Sequence, residues 1–359
     1  MKFTVGKKSL LAELTLLQGI IERKSTIPIL SNILIEAGDG ITLTATDLDI
    51  SMQAAISGDG ITPGGVAVPA RKLFDIVRSL PEAEIHFEHV GDKVKISCGG
   101  SRFHIVSHAK EHYPSIPAVS GTGVQIKADI LHEMISRTIY AITQEESRYA
   151  LNGALLLIQG QHMKLVTTDG HRLAMSGCEV EASEDVKVII PRKALTELLK
   201  LTDEGTVEFS KDENHLFFKV GARNLTSRAL AGQFPNYEMV IPKSNDKSIT
   251  LKVDTISRSV SRAALMADDR SHGIKMEFED GSIVMTSQTP DLGECHETVP
   301  IDYNGGAVSV KLNASYVLDF LSVVGTDSIT IKLKDGQTPI LFKPEGDHDY
   351  IGVVMPMRI

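Results

Sequence analysis

The sequence predicts an α+β fold, rich in strand, built from three copies of one module, and three observations carry that expectation. A segment recurs along the chain: VAVPARKLFDIVRSL (66–80), VIIPRKALTELLKL (188–201) and, more loosely, VSVKLNASYVLDFLSVV (308–324), with the starting residues Val66, Val188 and Val308 spaced by 122 and 120 positions. A second segment keeps the same phase, since LTATDLD with Asp47 returns as LVTTDGH with Asp169, and MTSQTPD takes that place in the third copy. The copies also end alike, in HYPSIPAV, FPNYEMVIP and IGVVMPMRI. A fixed period decides architecture before any local reading. The 359 residues therefore divide into modules 1–122, 123–246 and 247–359, with SGTG and KSNDK as short linkers.

Within each copy the hydrophobic period changes in a fixed order. An early helix shows apolar residues at helical spacing: Leu10, Leu11, Leu14 and Leu17, then Leu131, Met134, Ile135 and Thr138, then Ile256, Val260 and Ala264. Three short strands follow, read from alternation such as Ile41, Leu43 and Ala45 with Gly-rich turns between them. Pro69, Pro191 or Asn313 opens a second helix, as suits first-turn or capping residues. Further strands close the copy, so each module reads helix, three strands, helix, three strands, with the helices covering one face of the sheets.

Composition narrows the function classes. Apolar residues at 42% and charged residues at 23% suit a cored protein rather than a disordered one. No run approaches the roughly 18 apolar residues of a membrane span, and the amphipathic start MKFTVGKKSLLAELTLLQGIIERK is unlike a signal peptide, so a cytoplasmic protein without membrane contact is expected. Cys98, Cys178 and Cys295 are far apart and in no CxxC pair, which supports neither a disulfide framework nor a zinc cluster. With no Trp and 5% aromatics, material for stacking single-stranded bases is scarce.

The net charge of −9 argues against a basic nucleic-acid binder until it is resolved by element. Over the helical segments 7–24, 71–80, 127–142, 192–200, 252–265 and 311–324 the charges sum to about +8, leaving about −17 for the rest. Arg71, Lys72 and Arg78 lie opposite Leu73, Val77 and Leu80; Arg192, Lys193 and Lys200 lie opposite Leu195, Leu198 and Leu199; Arg258 and Arg262 stand one turn apart. A solvated helix face explains one such helix. Its repetition points to a basic helical surface able to hold a phosphate backbone without reading bases.

Catalytic fragments are thin. Asp169-Gly170-His171-Arg172 offers an acid beside a base, but no serine or cysteine nucleophile has a recognisable elbow. His104, His108 and His112 have metal-ligand spacing only if helical, and SRFHIVSH alternates as a strand. GDGITPGG (58–65) lacks the Lys-Ser/Thr of a phosphate loop. No cofactor or metal is expected. The Met-rich end VVMPMRI is either a last edge strand or an adaptable peptide site.

These residues together resemble one family over the full length: the bacterial DNA polymerase III β subunit, the sliding clamp. The segments that carry the resemblance are MKFTV, KSTIPILSNILI, ATDLDI, VPARKLFDI, RYALNGALL, TTDGHRLA, VIIPRK, FPNYEMVIP, LNASYVLD and VVMPMR. The resemblance implies a non-enzymatic processivity factor. It implies a homodimeric ring of six domains with helices lining the hole, threaded by duplex DNA. Its implied partners are the polymerase III catalytic subunit, the clamp loader, and other polymerases and repair proteins, docking through peptides.

The resemblance places DNA contact on Lys24, Arg71, Lys72, Arg78, Arg148, Tyr149, Arg192, Lys193 and Asn313. The partner-peptide pocket falls on Leu151, Thr168, Gly170, His171, Arg172, Leu173, Pro235, Met239, Val240, Pro339, Val353, Val354, Met355 and Pro356, with Arg358 nearby. Peptide anchors are expected against Leu173, Val240, Val354 and Met355. Dimer contacts are expected between Phe103 and Ile105 of one chain and Leu265 and Met266 of the other, flanked by Lys95 and Arg102 facing Glu294 or Glu297. Three departures from the family pattern stand out: Ala150 where relatives often carry an aromatic, Lys24 for a frequent Arg, and Glu145 with Glu146 beside Arg148. Two readings from other classes remain: an enzyme using Asp169 and His171, and a repeat-built scaffold with no DNA role.

Overall fold

The computed structural model describes residues 1–22, 26–120, 123–145, 147–202, 204–291 and 293–358. Six helices are described: α1 (Lys7–Leu17), α2 (Ala70–Ser79), α3 (Ala128–Thr138), α4 (Arg192–Leu199), α5 (Val253–Ala264) and α6 (Ala314–Val323). Each expected helix exists, but strands are more numerous than alternation suggested. A strand leads directly into the first helix of every copy (Lys2–Gly6, Val124–Lys127, Lys247–Lys252), and another leads into the second (Gly64–Pro69, Val186–Pro191, Val308–Asn313). With no loop between strand and helix, the two periods merge in the sequence. Pro69 is accordingly the N-cap of α2 rather than its first residue. α1 ends at Leu17, short of the expected 24, and Lys24 lies outside the described residues.

Contacts divide the chain into two compact units, residues 1–132 with 193–229, and residues 133–192 with 230–359. The strand ladders show why the division cuts the middle copy. In the first unit a nine-stranded sheet joins the first copy to the last strands of the second, where Ile50–Ile56 pairs antiparallel with Arg223–Arg228 in the register Met52↔Leu225. In the second unit an eight-stranded sheet makes the corresponding join, Arg172–Glu179 pairing with Tyr350–Val354 in the register Leu173↔Val353. A five-stranded sheet completes the first unit and a four-stranded sheet the second.

The cores follow from the alternation. In the first unit Leu10, Leu14 and Leu17 of α1 and Leu73 and Val77 of α2 are buried, beside the stacked rings of Phe3 and Phe87, 4.7 Å apart. Each such side chain contributes about 1.5–3 kcal/mol on full burial. Glu13 of α1 is 9% exposed and meets the Arg223 guanidinium through two hydrogen bonds of 2.8 and 2.7 Å, which ties the first copy's helix to the joined strand. Gly19 allows the chain after α1 to approach α4, since a Cβ there would stand 2.2 Å from Glu197 Oε2. In the second unit α5 and α6 pack on each other and on strands of both sheets, around Phe278, Phe320, Phe342 and Tyr350.

One turn repeats with a difference. Asp169 Oδ1 accepts from the amides of His171 and Arg172 at 2.9 and 3.0 Å, and Asp47 Oδ1 accepts from Asp49 and Ile50 at 2.9 and 2.8 Å. Both turns need a left-handed residue next. The second copy supplies Gly170 at φ 88, but the first supplies Leu48 at φ 83, half exposed and with little packing to lose. A leucine held there stores about 1–2 kcal/mol. Leu48→Asn is therefore expected to raise the urea unfolding free energy by about 0.5–1 kcal/mol, because asparagine tolerates this region; a loss of stability would contradict the strain.

Candidate functional site

In the first unit the helical cations fall into two groups. Arg71, Lys72 and Arg78 of α2 are exposed, with Arg78 lying over the Phe74 ring at 5.4 Å and 3.6 Å from Asp75. Lys193 is engaged within the chain, its ammonium bonding the Asp47 carboxylate and, at 3.1 Å, the Ile20 carbonyl. Lys200, just past the end of α4, is likewise held by both Glu197 oxygens, at 2.7 and 2.8 Å.

In the second unit Arg148 donates to the Asp169 carbonyl at 2.7 Å and sits 3.2 Å from Glu145, while Tyr149 beside it is 57% exposed. Arg192 donates to the Ile142 carbonyl at 3.0 Å; burial and then the nearby Arg172 charge lower its guanidinium pKa. Asn313 has both polar ends occupied: its Oδ1 accepts from the Ser315 and Tyr316 amides at 2.9 and 3.3 Å, and its Nδ2 donates to Ser271 O at 3.1 Å. Its side chain caps α6. Arg258 is 71% exposed beside Asp254, whereas Arg262 is bound to Glu297 through two hydrogen bonds of 2.7 Å. The Arg262 guanidinium holds the Glu297 carboxyl below the usual carboxylate range despite partial desolvation.

The peptide-pocket residues all belong to the second unit, and register separates them by face. Leu173 pairs with Val353, and Arg172 with Val354. Directly opposed residues share a face and neighbours along a strand do not. Leu173 and Val353 thus join Leu155, Leu157, Phe234 and Tyr237 in one apolar cluster, whereas Val354 belongs to the core around Phe320 and Tyr350. Leu173 and Val354, 1% and 2% exposed, are buried on opposite faces of the sheet rather than side by side at the surface. The apolar surface left at this place comes from Met239, 83% exposed, with exposed Pro235 and half-buried Leu151, Val240, Met355 and Pro356. Thr168 Oγ donates to the Arg172 carbonyl at 2.6 Å and accepts from the Gly170 amide at 3.0 Å, so it shapes the turn. The Met355 amide bonds the His171 carbonyl at 2.9 Å and the Met357 amide bonds Lys311 O at 2.7 Å, which docks the tail whose Arg358 is exposed. Pro339 accepts from Asn245 Nδ2 at 3.1 Å.

Asp169 is not available as a catalytic acid or base. Its Oδ2 is taken by Arg172 Nε at 3.0 Å, and its Oδ1 by the two turn amides. Sequence reading missed two residues of α6 here. Asp319 accepts from Arg172 Nη1 at 2.5 Å, and the Tyr316 ring lies 4.4 Å from the same guanidinium and 6.5 Å from the His171 ring. Their i, i+3 spacing after the Asn313 cap was the available clue.

Among the strands that end the sheets, one in each unit carries the residues expected at a dimer contact. Ser101–Val106 ends the five-stranded sheet, with Phe103 half-buried, Ile105 8% exposed and Val106 54% exposed. Gly293–Pro300 ends the four-stranded sheet, beside α5, whose C-cap Leu265 is 76% exposed and followed by half-buried Met266. Glu297 on that edge is committed to Arg262 and Lys95 is 3.6 Å from Glu88, so of the expected flanking charges Arg102 and Glu294 stay exposed.

Three repeats of one strand-and-helix module, joined by strand pairing between copies, define a repeat-built α+β protein. Models of the DNA polymerase III beta subunit match in series: the N-terminal domain over residues 1–117, the central domain over 125–236 and the C-terminal domain over 238–358. The beta sliding clamp of Pseudomonas aeruginosa is 34% identical and that of Escherichia coli K12 is 31% identical, each alignment covering 100% of both chains. The crystal structure of the P. aeruginosa clamp bound to griselimycin superposes with a TM-score of 0.97 over 100% of both chains. The Bacillus subtilis clamp, 28% identical, gives 0.96 over 100% of this chain and 99% of that one. The chain belongs to the DNA polymerase III beta-subunit family, the bacterial beta sliding clamps, a family of non-catalytic processivity factors.

Asn313→Ala is expected to lower stability by about 1 kcal/mol through loss of the α6 cap; an unchanged urea midpoint would leave the capping role without support.

Proposed function

We propose that two copies of this chain close head to tail around duplex DNA and tether the replicative polymerase, and that the same ring docks the clamp loader and repair proteins. The observation that carries this is the pair of open edges. Ser101–Val106 holds the place in its copy that Arg223–Arg228 and Tyr350–Val354 hold in theirs, the third strand after the second helix. Gly293–Pro300 holds the place of Ile50–Ile56 and Arg172–Glu179, the third strand after the first helix. At both internal joins these two strand types pair antiparallel. The third join therefore runs between chains, Ser101–Val106 of one against Gly293–Pro300 of the other. Phe103 and Ile105 meet Leu265 and Met266 there, and Arg102 faces Glu294. The three modules 1–122, 123–246 and 247–359 are the units that this pairing repeats.

DNA contact rests first on Arg71, Lys72, Arg78, Tyr149 and Arg258, whose side chains reach solvent. Arg148, Arg192 and Lys193 join only by sharing donors already in use, and Asn313 acts through α6. Such sparse contacts to phosphate give little affinity but permit sliding, and a closed ring needs little affinity to stay on. The partner peptide lies on the surface of Met239, Val240, Pro235, Leu151, Met355 and Pro356, walled by His171. Pro339 and Arg358 border it, while Thr168, Gly170, Arg172, Leu173, Val353 and Val354 are the scaffold beneath. A cytoplasmic location follows from work on chromosomal DNA.

After loading onto a circular duplex by the ATP-driven loader, the clamp should co-elute with DNA in gel filtration and be lost on linearisation; release from unbroken circles would sink the ring. Reversing Arg71, Lys72 and Arg78 together to Glu should cut loading at least about tenfold, since each contributes a phosphate contact. Under the scaffold reading nothing changes. Light scattering should give twice the 39.0 kDa chain mass for the native protein and the single-chain mass for Phe103→Asp combined with Leu265→Asp. Met355→Ala or Met239→Ala should weaken a polymerase-tail peptide by about tenfold, a loss the size of one buried apolar side chain; native affinity in both would remove the groove.

A further inference from the structure

The side chain of Arg172 is 11% exposed, and its donors are met from three separate segments. Nε donates to Asp169 Oδ2 in its own turn at 3.0 Å, Nη1 to Asp319 Oδ2 on α6 at 2.5 Å, and Nη2 to the Tyr140 carbonyl at 2.7 Å. The guanidinium lies 4.4 Å from the centroid of Tyr316 and 5.2 Å from that of Tyr140. A planar cation held in its plane by carboxylates sets where a ring can rest on its face. Asp319 and Tyr316 stand one turn apart on α6, so one fixes the guanidinium plane and the other covers it. The His171 ring then packs near-parallel to Tyr316, 6.5 Å away and tilted by 19°.

We infer that Asp319 is a positioning residue for partner-peptide docking: through Arg172 it fixes Tyr316, and through Tyr316 the His171 wall of the groove. This rests on the peptide-groove reading above. Asp319 Oδ2 accepts from Arg172 Nη1, so it acts on the groove through that guanidinium. Its own side chain is 45% exposed, so replacing it opens no core, and its ion pair adds little to global stability. With Asp169 and Asp319 both committed to Arg172, the cluster offers a partner no free guanidinium, and the groove stays an apolar and aromatic surface rather than an anion trap.

The same unit contains an internal control. Arg137 is held by Asp347 at 2.8 Å and lies over the Tyr350 ring at 5.0 Å, a clasp of like construction. Tyr350 pairs with Ser176, at the other end of the strand pair from Arg172. Disturbing that clasp tests whether any lost carboxylate in this unit has the same effect.

The test is an anisotropy titration of the full-length protein with a fluorescein-labelled peptide from the C-terminal tail of the polymerase III catalytic subunit. Thermal midpoints and the His171 ring-proton NMR resonance are recorded alongside. Asp319→Asn should weaken the peptide about tenfold and shift the His171 resonance, with the midpoint within about 2 °C of the native value. Asp319→Glu should restore affinity to within about threefold, and Asp347→Asn should bind as the native protein does. Native affinity in Asp319→Asn, an equal loss in Asp347→Asn, or an unmoved His171 resonance would each overturn the positioning role. If Met355→Ala weakens binding while Asp319→Asn does not, the groove stands and only the positioning fails. If the native protein does not bind the peptide, or Met355→Ala binds it unchanged, the groove reading fails and the positioning role falls with it.

Discussion

Antiparallel pairing between strands of different copies is the interaction on which the rest of the structure depends. Within one copy the sheets end in open edges, which carry rows of unmet amides and carbonyls. Ile50–Ile56 against Arg223–Arg228, and Arg172–Glu179 against Tyr350–Val354, turn those edges into continuous ladders. The helices inherit their places from the sheets, as Glu13 of α1 shows when it reaches the joined strand at Arg223. Around the second join lie the TDGHR turn, the docked tail and the Arg172 cluster.

Much of this was legible in the sequence, for identifiable reasons. The period of Val66, Val188 and Val308 revealed three modules because repeated copies need the same helix-opening and turn residues. Strand ends were hidden where a strand runs straight into a helix, as at Val186–Pro191 before α4, since no turn residue marks the change. The residues expected at a peptide groove all fall in one unit, but on different faces of its sheet. Leu173 and Val354 look interchangeable as apolar letters, and only the pairing register puts them on opposite sides of a sheet. Asp319 escaped notice because its partner Arg172 is 147 positions away.

Charge counting shows the same limit in another form. The segments read as helical from the sequence sum to about +8, but the six helices as formed carry only +3, and Lys193, Lys200 and Arg262 are paired with Asp47, Glu197 and Glu297. In each pair the carboxylate is the more buried partner, at 7%, 4% and 20% exposure, so the cation is drawn in to neutralise it. These pairs subtract from the cations that face solvent, so the surface that can meet phosphate is narrower than the tally. For a protein that must move along DNA, a narrow set of cations is better suited than a dense one, because every firm contact must be released at each step.

The joins inside the chain and the proposed join between chains use the same kind of backbone ladder, but they differ in how often a separated pair finds itself again. After a ladder breaks within the chain, the connecting segments 107–123 or 180–185 and 229–246 keep the partners close, an effective concentration in the millimolar range or above. Between two chains a ladder has no such tether except the rest of the closed ring. Under the proposed pairing, the interchain ladder is therefore the one that reforms more slowly once broken.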